Sequence, residues 1–187
     1  MAVAVFKSGP VIGEAVASAT DGGIKLKVHF TKLPAGKHGF HIHTAGDLRG
    51  EGCMGACTHW SKETSEHGDY GKGHTGDLGN IEPAQNGQFQ RTYLIKGAKV
   101  DELWGRTLIV HADEDDLGHG PHDDSKTTGH SGKRIACAIF GRAQECGQKG
   151  GALPNGSNNA VGLGLILGVV GTGVGYYLLK NNKRKGR

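Results

Sequence analysis

In the run Ile24-Lys25-Leu26-Lys27-Val28-His29-Phe30, apolar and polar side chains alternate without a break. That period of two is the mark of a half-buried β-strand, whose successive side chains point to opposite faces. The rest of the first 150 residues is read under the same constraint. Residues 1–7 and 11–19 read as strands joined by Gly9-Pro10, and 88–94, 107–111 and 135–140 as further strands; no stretch there carries a helical period. Glycine supplies 34 of the 187 residues, against a usual share of about 7%, which suits many turns and long loops. Many short strands with turn signals predict an all-β antiparallel sandwich or Greek-key barrel. Residues 44–81 and 112–132 are polar and glycine-rich, and loops of that length in a compact domain are usually functional. No internal repeat is present.

The chemistry is carried by histidine. All 11 histidines fall between His29 and His130. In Gly39-Phe40-His41-Ile42-His43, an extended chain turns His41 and His43 to one face and Ile42 to the core. Two imidazoles on one strand face are half of a metal site. His59, His67, His74 and Asp77 follow at x7, x6 and x2 spacing in a glycine-rich segment, and suit a tetrahedral zinc site. His111 closes the apolar run Thr107-Leu108-Ile109-Val110. With His41, His43 and one shared histidine it would complete an all-imidazole site, which suits copper in both oxidation states.

These strings resemble the copper–zinc superoxide dismutase family. The resemblance rests on Gly39 to His43, His74-Thr75-Gly76-Asp77-Leu78-Gly79-Asn80, Gly105-Arg106-Thr107-Leu108-Ile109-Val110-His111, Asp115-Asp116-Leu117-Gly118 and Gly132-Lys133-Arg134-Ile135-Ala136-Cys137. Their order and spacing match along residues 2 to 144. The resemblance implies an eight-stranded barrel with two long functional loops. It implies copper on His41, His43, His59 and His111, and zinc on His59, His67, His74 and Asp77, with His59 the bridge. Asp115 would link His41 to His67, since ligating imidazoles are commonly oriented by a carboxylate. Arg134 and His59 would be the catalytic groups, Arg134 docking the anion. Cys53 and Cys137 would form the intrasubunit disulfide, closing a long loop and stabilising the fold by roughly 4–5 kcal/mol in the chain-entropy model. The implied activity is disproportionation of superoxide to dioxygen and hydrogen peroxide. The implied partners are a second copy of the chain in a homodimer and a copper chaperone. Nothing predicts nucleic-acid binding.

Several positions depart from the family pattern. The segment from His67 to His74 is shorter than usual, which puts the rigidity of the zinc loop in question. His119 stands where lysine is common in the substrate-guiding loop. With Lys133 and His122 it is a candidate for steering the anion, whereas His130 reads as a plain surface residue. Arg142 lies where the family's dimer surface tends to be apolar. Cys57 and Cys146 have no family role; both read as free thiols, with a rival disulfide as the alternative. A cytosolic chain would otherwise keep its cysteines reduced.

The net charge of +4 comes from the C-terminus. Lys180, Lys183, Arg184, Lys185 and Arg187 follow residue 150 with no acid. Without those five bases the body has 17 against 18 acids, a charge of −1. A small anion must therefore be drawn locally, by Arg134, Lys133 and the metal. Four segments are expected: a dismutase-like domain over 1–146, a linker over 147–160, an apolar segment over 161–179 and a basic end over 180–187. The charge-free 161–179 has about the length that spans a bilayer, and the basic end suits an anchor. No secretory signal is read at the N-terminus. The expected placement is thus cytosolic-facing or membrane-tethered, and a virion and a large DNA virus are compatible with it. Two rival readings exist. A metallochaperone with a dismutase-like domain would carry an extra Cys-x-x-Cys metal domain; an inactive metal-buffering domain would lack a copper histidine or the arginine.

Overall fold

The computed structural model describes residues 1–143, apart from 8, 64 and 65. Nine strands are found among them: β1 Ala2–Phe6, β2 Ile12–Thr20, β3 Gly23–Lys32, β4 His38–His43, β5 Asp77–Ile81, β6 Phe89–Lys96, β7 Thr107–His111, β8 Arg134–Ile139 and β9 Gly141–Arg142. They form two antiparallel sheets, ordered β6-β3-β2-β1-β9 and β5-β4-β7-β8. The chain crosses between the sheets after β3, β5, β6 and β8, as a Greek-key arrangement requires. The inward face of β3 supplies Ile24, Leu26, Val28 and Phe30, all fully buried, against Phe40, Ile42, Leu108 and Val110 from the second sheet. Phe30 meets Phe6 and Phe40 edge-on at 5.3 and 5.8 Å, the preferred approach of two aromatic quadrupoles.

Two sequence expectations are revised by this topology. The expected eighth strand over 135–140 is two strands. Arg134–Ile139 pairs with β7, and Gly141–Arg142 pairs with β1 in the other sheet. The switch occurs at buried Phe140, whose N–H donates to Arg106 and whose carbonyl accepts from Gly105. The last strand therefore closes the gap between the sheets. The second revision concerns the loop expected over 44–81, whose last five residues are β5. They pair with β4 so that Asp77 lies opposite His41. The 112–132 loop contains one helical turn, α1 Ser125–Thr128.

Among the described residues no helix is long and apolar enough to cross a membrane. The transmembrane tail expected over 161–179, the linker, the basic end and Cys146 lie outside the described residues.

Candidate metal centre

Alternation along β4 places the two histidines as expected. Ile42 joins the core, while His41 and His43 leave the opposite face, where the two long loops bury them. His111 arrives from β7, the neighbouring strand, beyond a bulge at Val110/His111. His59 arrives from the first loop through a single bridge to His43. The His41 and His59 rings stack at 4.0 Å, and His43 and His111 lie 4.9 and 6.3 Å from His59.

Each of these rings has one nitrogen bound to an acceptor. His41 Nε2 donates to Asp115 Oδ2 at 2.7 Å, His43 Nδ1 to the Cys57 carbonyl at 2.8 Å, and His111 Nδ1 to the Gly132 carbonyl at 3.2 Å. An imidazole that donates from one nitrogen offers a lone pair at the other. The opposite atoms, His41 Nδ1, His43 Nε2, His59 Nε2 and His111 Nε2, are buried without any hydrogen-bond partner. One ring nitrogen from each lies within 4.8 Å of the others. Four orphaned lone pairs in one spot are costly unless a cation receives them. Burial keeps the rings neutral. Desolvation, with the neighbouring His59 second, pushes His43 down to about 2, and desolvation pushes His111 down to about 4. His41 is lowered for the same first reason.

The other side of His59 faces Asp77. His59 Nδ1 lies 2.8 Å from Asp77 Oδ1, while His67 Nδ1 and His74 Nδ1 lie 3.0 and 3.2 Å from Oδ2. Three imidazole nitrogens thus crowd one buried carboxylate. The His67 contact has ion-pair distance without hydrogen-bond geometry, as suits two donors that turn to a shared ion. His41, His59, His67 and Asp77 also fall within 4.8 Å of one another. Both nitrogens of His41 are engaged, one by Asp115 and one in the first cluster, whereas His74 Nδ1 faces Asp77 alone among the two carboxylates. Desolvation opposes charge on His67, but Asp115 and Asp77 outweigh it and raise the ring to about 9. Asp77 is itself desolvated, yet the His59 bond and the His67 ring beside it hold it well below the usual carboxylate range.

Asp115 joins the two groups. Its Oδ2 takes His41 Nε2 and its Oδ1 takes His67 Nε2 at 2.8 Å. Asn80, whose role sequence reasoning missed, clamps the Asp115 backbone. Its side-chain amide donates to the Asp115 carbonyl and its oxygen accepts the Asp115 N–H, both at 2.8 Å. Gly129, at φ 68, packs its Cα against the Asp115–His67 contact. A Cβ there would collide with both groups, so the position excludes a side chain. His38 was also missed: it is buried, with Nδ1 2.9 Å from the His111 carbonyl and Nε2 3.1 Å from the Pro34 carbonyl.

Arg134 lies opposite His111 in the β7–β8 pairing. Its Nη1 donates to the Cys53 carbonyl at 2.8 Å and its Nη2 to the Cys57 carbonyl at 2.6 Å. The Cys57 carbonyl therefore serves both Arg134 and His43. Cys53 and Cys137 are bonded to each other, and Cys57 is a free, exposed thiol. Lys133 is exposed. Two of the steering candidates have close neighbours. His119 Nε2 is 3.8 Å from Asp69, and His122 stacks on His130 at 3.6 Å. His130, read as a plain surface residue, is exposed but also bonds Asp124 at 2.7 Å.

The comparisons with known proteins agree with this geometry. The family model described as copper/zinc superoxide dismutase (SODC) matches residues 11–140. The chain is 42% identical over 150 residues to the "Superoxide dismutase [Cu-Zn]" of Paramecium bursaria Chlorella virus 1, covering 77% of this chain and 79% of that one. Extracellular copper–zinc superoxide dismutases of Caenorhabditis elegans and Drosophila melanogaster are 41% and 42% identical, covering 65% and 63% of this chain. The aligned part is 57% of the nematode protein and 67% of the fly protein. Among solved structures, that of the clock protein EA4 aligns with a TM-score of 0.68 at 33% identity, covering 75% of this chain and 92% of that one. With copper and zinc as that family's metals and two buried clusters that fit them, the chain belongs to the copper/zinc superoxide dismutase family.

Proposed function

We propose that this chain is an oxidoreductase that disproportionates superoxide, with copper held by His41, His43, His59 and His111 and zinc by His59, His67, His74 and Asp77. The observation that carries the reading is the four buried lone pairs converging in the first cluster, one of them on a ring whose other nitrogen meets Asp77. Metal content of the purified protein, measured with superoxide decay, tests it. One copper and one zinc per chain with rapid decay is expected; a protein that binds both metals and leaves superoxide untouched overturns it.

Bound in the first cluster, copper supplies one-electron chemistry, so that two superoxide anions and two protons become dioxygen and hydrogen peroxide. The protein supplies the rest. Arg134 spends two N–H groups on the Cys53 and Cys57 carbonyls. Of its five N–H donors, three remain to hold the anion by charge-assisted bonds. Those same two carbonyls fix the guanidinium beside His111, which spares reorganisation when the anion docks. His59 Nε2 is the proton carrier: it takes up one proton and delivers it to the departing product, while Asp77 keeps the ring aimed through Nδ1. Asp115 holds His41 and His67 in the tautomers that leave their ligating nitrogens free. Metal buffering alone explains neither Arg134 nor its fork of carbonyls.

Finer features belong to the same proposal. The chain is a homodimer through a face that carries Val5, Leu48, Met54, Trp104 and Ile139, all exposed. Gly46 packs against Gly105 and Ile139, which gathers that face, and Arg142 stacks over Trp104 at 5.0 Å, sheathing its charge against a ring. Sedimentation should give a dimer that Ile139→Lys splits; a monomeric parent refutes it. A copper chaperone is a partner because the ligand nitrogens lie buried behind two loops. Lys133, His119 and His122 add local positive charge for the anion. Residues 1–146 form the dismutase domain, 147–160 the linker, 161–179 a bilayer anchor and 180–187 its basic flank. Truncation after Gly150 should release a fully active enzyme, while the full chain should resist carbonate extraction from membranes; ready extraction refutes the anchor. Two relatives are named extracellular, so fractionation of the source cell, not kinship, decides the compartment.

A further inference from the structure

We propose that Tyr70 is a positioning residue for the zinc group, a strap that fastens the shortened loop between His67 and His74 to the edge of the five-stranded sheet. The inference rests on the zinc assignment above. The Tyr70 hydroxyl accepts the Leu94 N–H at 2.6 Å and donates to the Leu94 carbonyl at 2.8 Å. A hydroxyl can donate and accept at once. Leu94 sits on β6, an edge strand, with Lys25 of β3 as its partner on the inner side. The phenol therefore stands where a further strand would otherwise pair, and covers an open edge.

The contact leads inward as well. The Tyr70 ring meets Tyr93 edge-on at 5.4 Å, and Tyr93 lies 6.1 Å from Phe40, the residue before His41. The Arg91 guanidinium caps both tyrosines, 4.7 Å from the Tyr93 centroid and 5.7 Å from that of Tyr70. Around Tyr70 the loop wraps Asp77. The Gly68 and His74 N–H groups donate to Asp77 Oδ2 at 3.2 and 2.8 Å, and Lys72 and Gly73 close a turn onto the Asp69 carbonyl. Gly73 packs so tightly on Gly68 and Asp77 that a Cβ would not fit. The turn that carries both His67 and His74 is thus a compact body whose tip is tied to the sheet by one hydroxyl. Holding the ligands in place before the ion arrives removes an ordering cost from binding.

The test uses the full chain, stripped of metal, in three forms: parent, Tyr70→Phe and Asp77→Ala. Zinc and copper affinities are measured by competition with a chromophoric chelator, and backbone exchange by mass spectrometry. Tyr70→Phe keeps the ring on Tyr93 and removes two hydrogen bonds. Zinc affinity should fall by roughly tenfold, copper affinity should hold, and the Leu94 amide should exchange faster. Unchanged zinc affinity in Tyr70→Phe, beside an Asp77→Ala that loses zinc, refutes the strap. An equal fall for both metals also refutes it, because it would report general destabilisation. Unaltered zinc affinity in Asp77→Ala refutes the zinc assignment itself.

Discussion

Replacing Asn80 by Ala removes the clamp on Asp115 without touching any metal ligand. Two bonds of 2.8 Å are lost, and they leave the Asp115 N–H and carbonyl in a partly buried setting. An unsatisfied buried polar group costs about 1–3 kcal/mol. Partial access of water puts the pair in the lower half of that range, about 2–4 kcal/mol together. For a domain of this size each kcal/mol lowers Tm by about 2–4 °C, so calorimetry should register a fall of roughly 5–15 °C. The loss should also reach both metals, because Asp115 orients His41 and His67 from its two oxygens. Asn80→Asp separates chemistry from size. Its carboxylate can still accept the Asp115 N–H but turns an acceptor toward the Asp115 carbonyl. That variant should recover half of the stability at most, and less at neutral than at acidic pH. An Asn80→Asp protein as stable as the parent, or an Asn80→Ala protein with unaltered Tm and metal affinity, would show that the clamp does not set the position of Asp115.

Three further outcomes are expected. His111→Ala should fold and bind zinc but lose copper and activity; near-normal turnover with bound copper refutes its place among the ligands. Arg134→Ala should lower kcat/KM for superoxide at constant metal content, most strongly at low ionic strength, and Arg134→Lys should be milder because charge stays while the planar fork is lost; an alanine variant as fast as the parent excludes the docking role. In the metal-free protein, the pH dependence of stability should peak near the ordinary imidazole pKa of about 6.5. His43, held at about 2, and His111, at about 4, stay neutral when the unfolded chain takes up protons, so each loses about 1.4 kcal/mol per pH unit as pH falls below that point. His67 works the other way: raised to about 9, its contribution is full below the unfolded pKa and disappears as pH rises through 9. Urea midpoints that fall monotonically across pH 5 to 9 would contradict this assignment of charge.

The two clusters of candidate ligands were legible in the chain because imidazole and carboxylate at strand and loop spacings have few other uses. Alternation alone turned His41 and His43 away from Ile42, and the core face of β3 is the one the sequence predicts. What stayed illegible is whatever depends on a backbone group brought in from elsewhere. The Cys57 carbonyl that serves both Arg134 and His43 carries no side-chain signature. Asn80 is one polar residue in a strand until β5 is laid beside the second loop. Tyr70 reads as an ordinary loop aromatic, and only the position of the β6 edge gives its hydroxyl two partners at once. The last strand shows one apolar run, and nothing local says that it must change sheets at Phe140, so that Arg134–Ile139 pairs with β7 and Gly141–Arg142 with β1. Side-chain chemistry and period are written in sequence because they are local. Strand order, sheet switching and the donors that fix each imidazole's tautomer are decided by tertiary structure, because each requires two segments far apart in the chain to meet at hydrogen-bond distance.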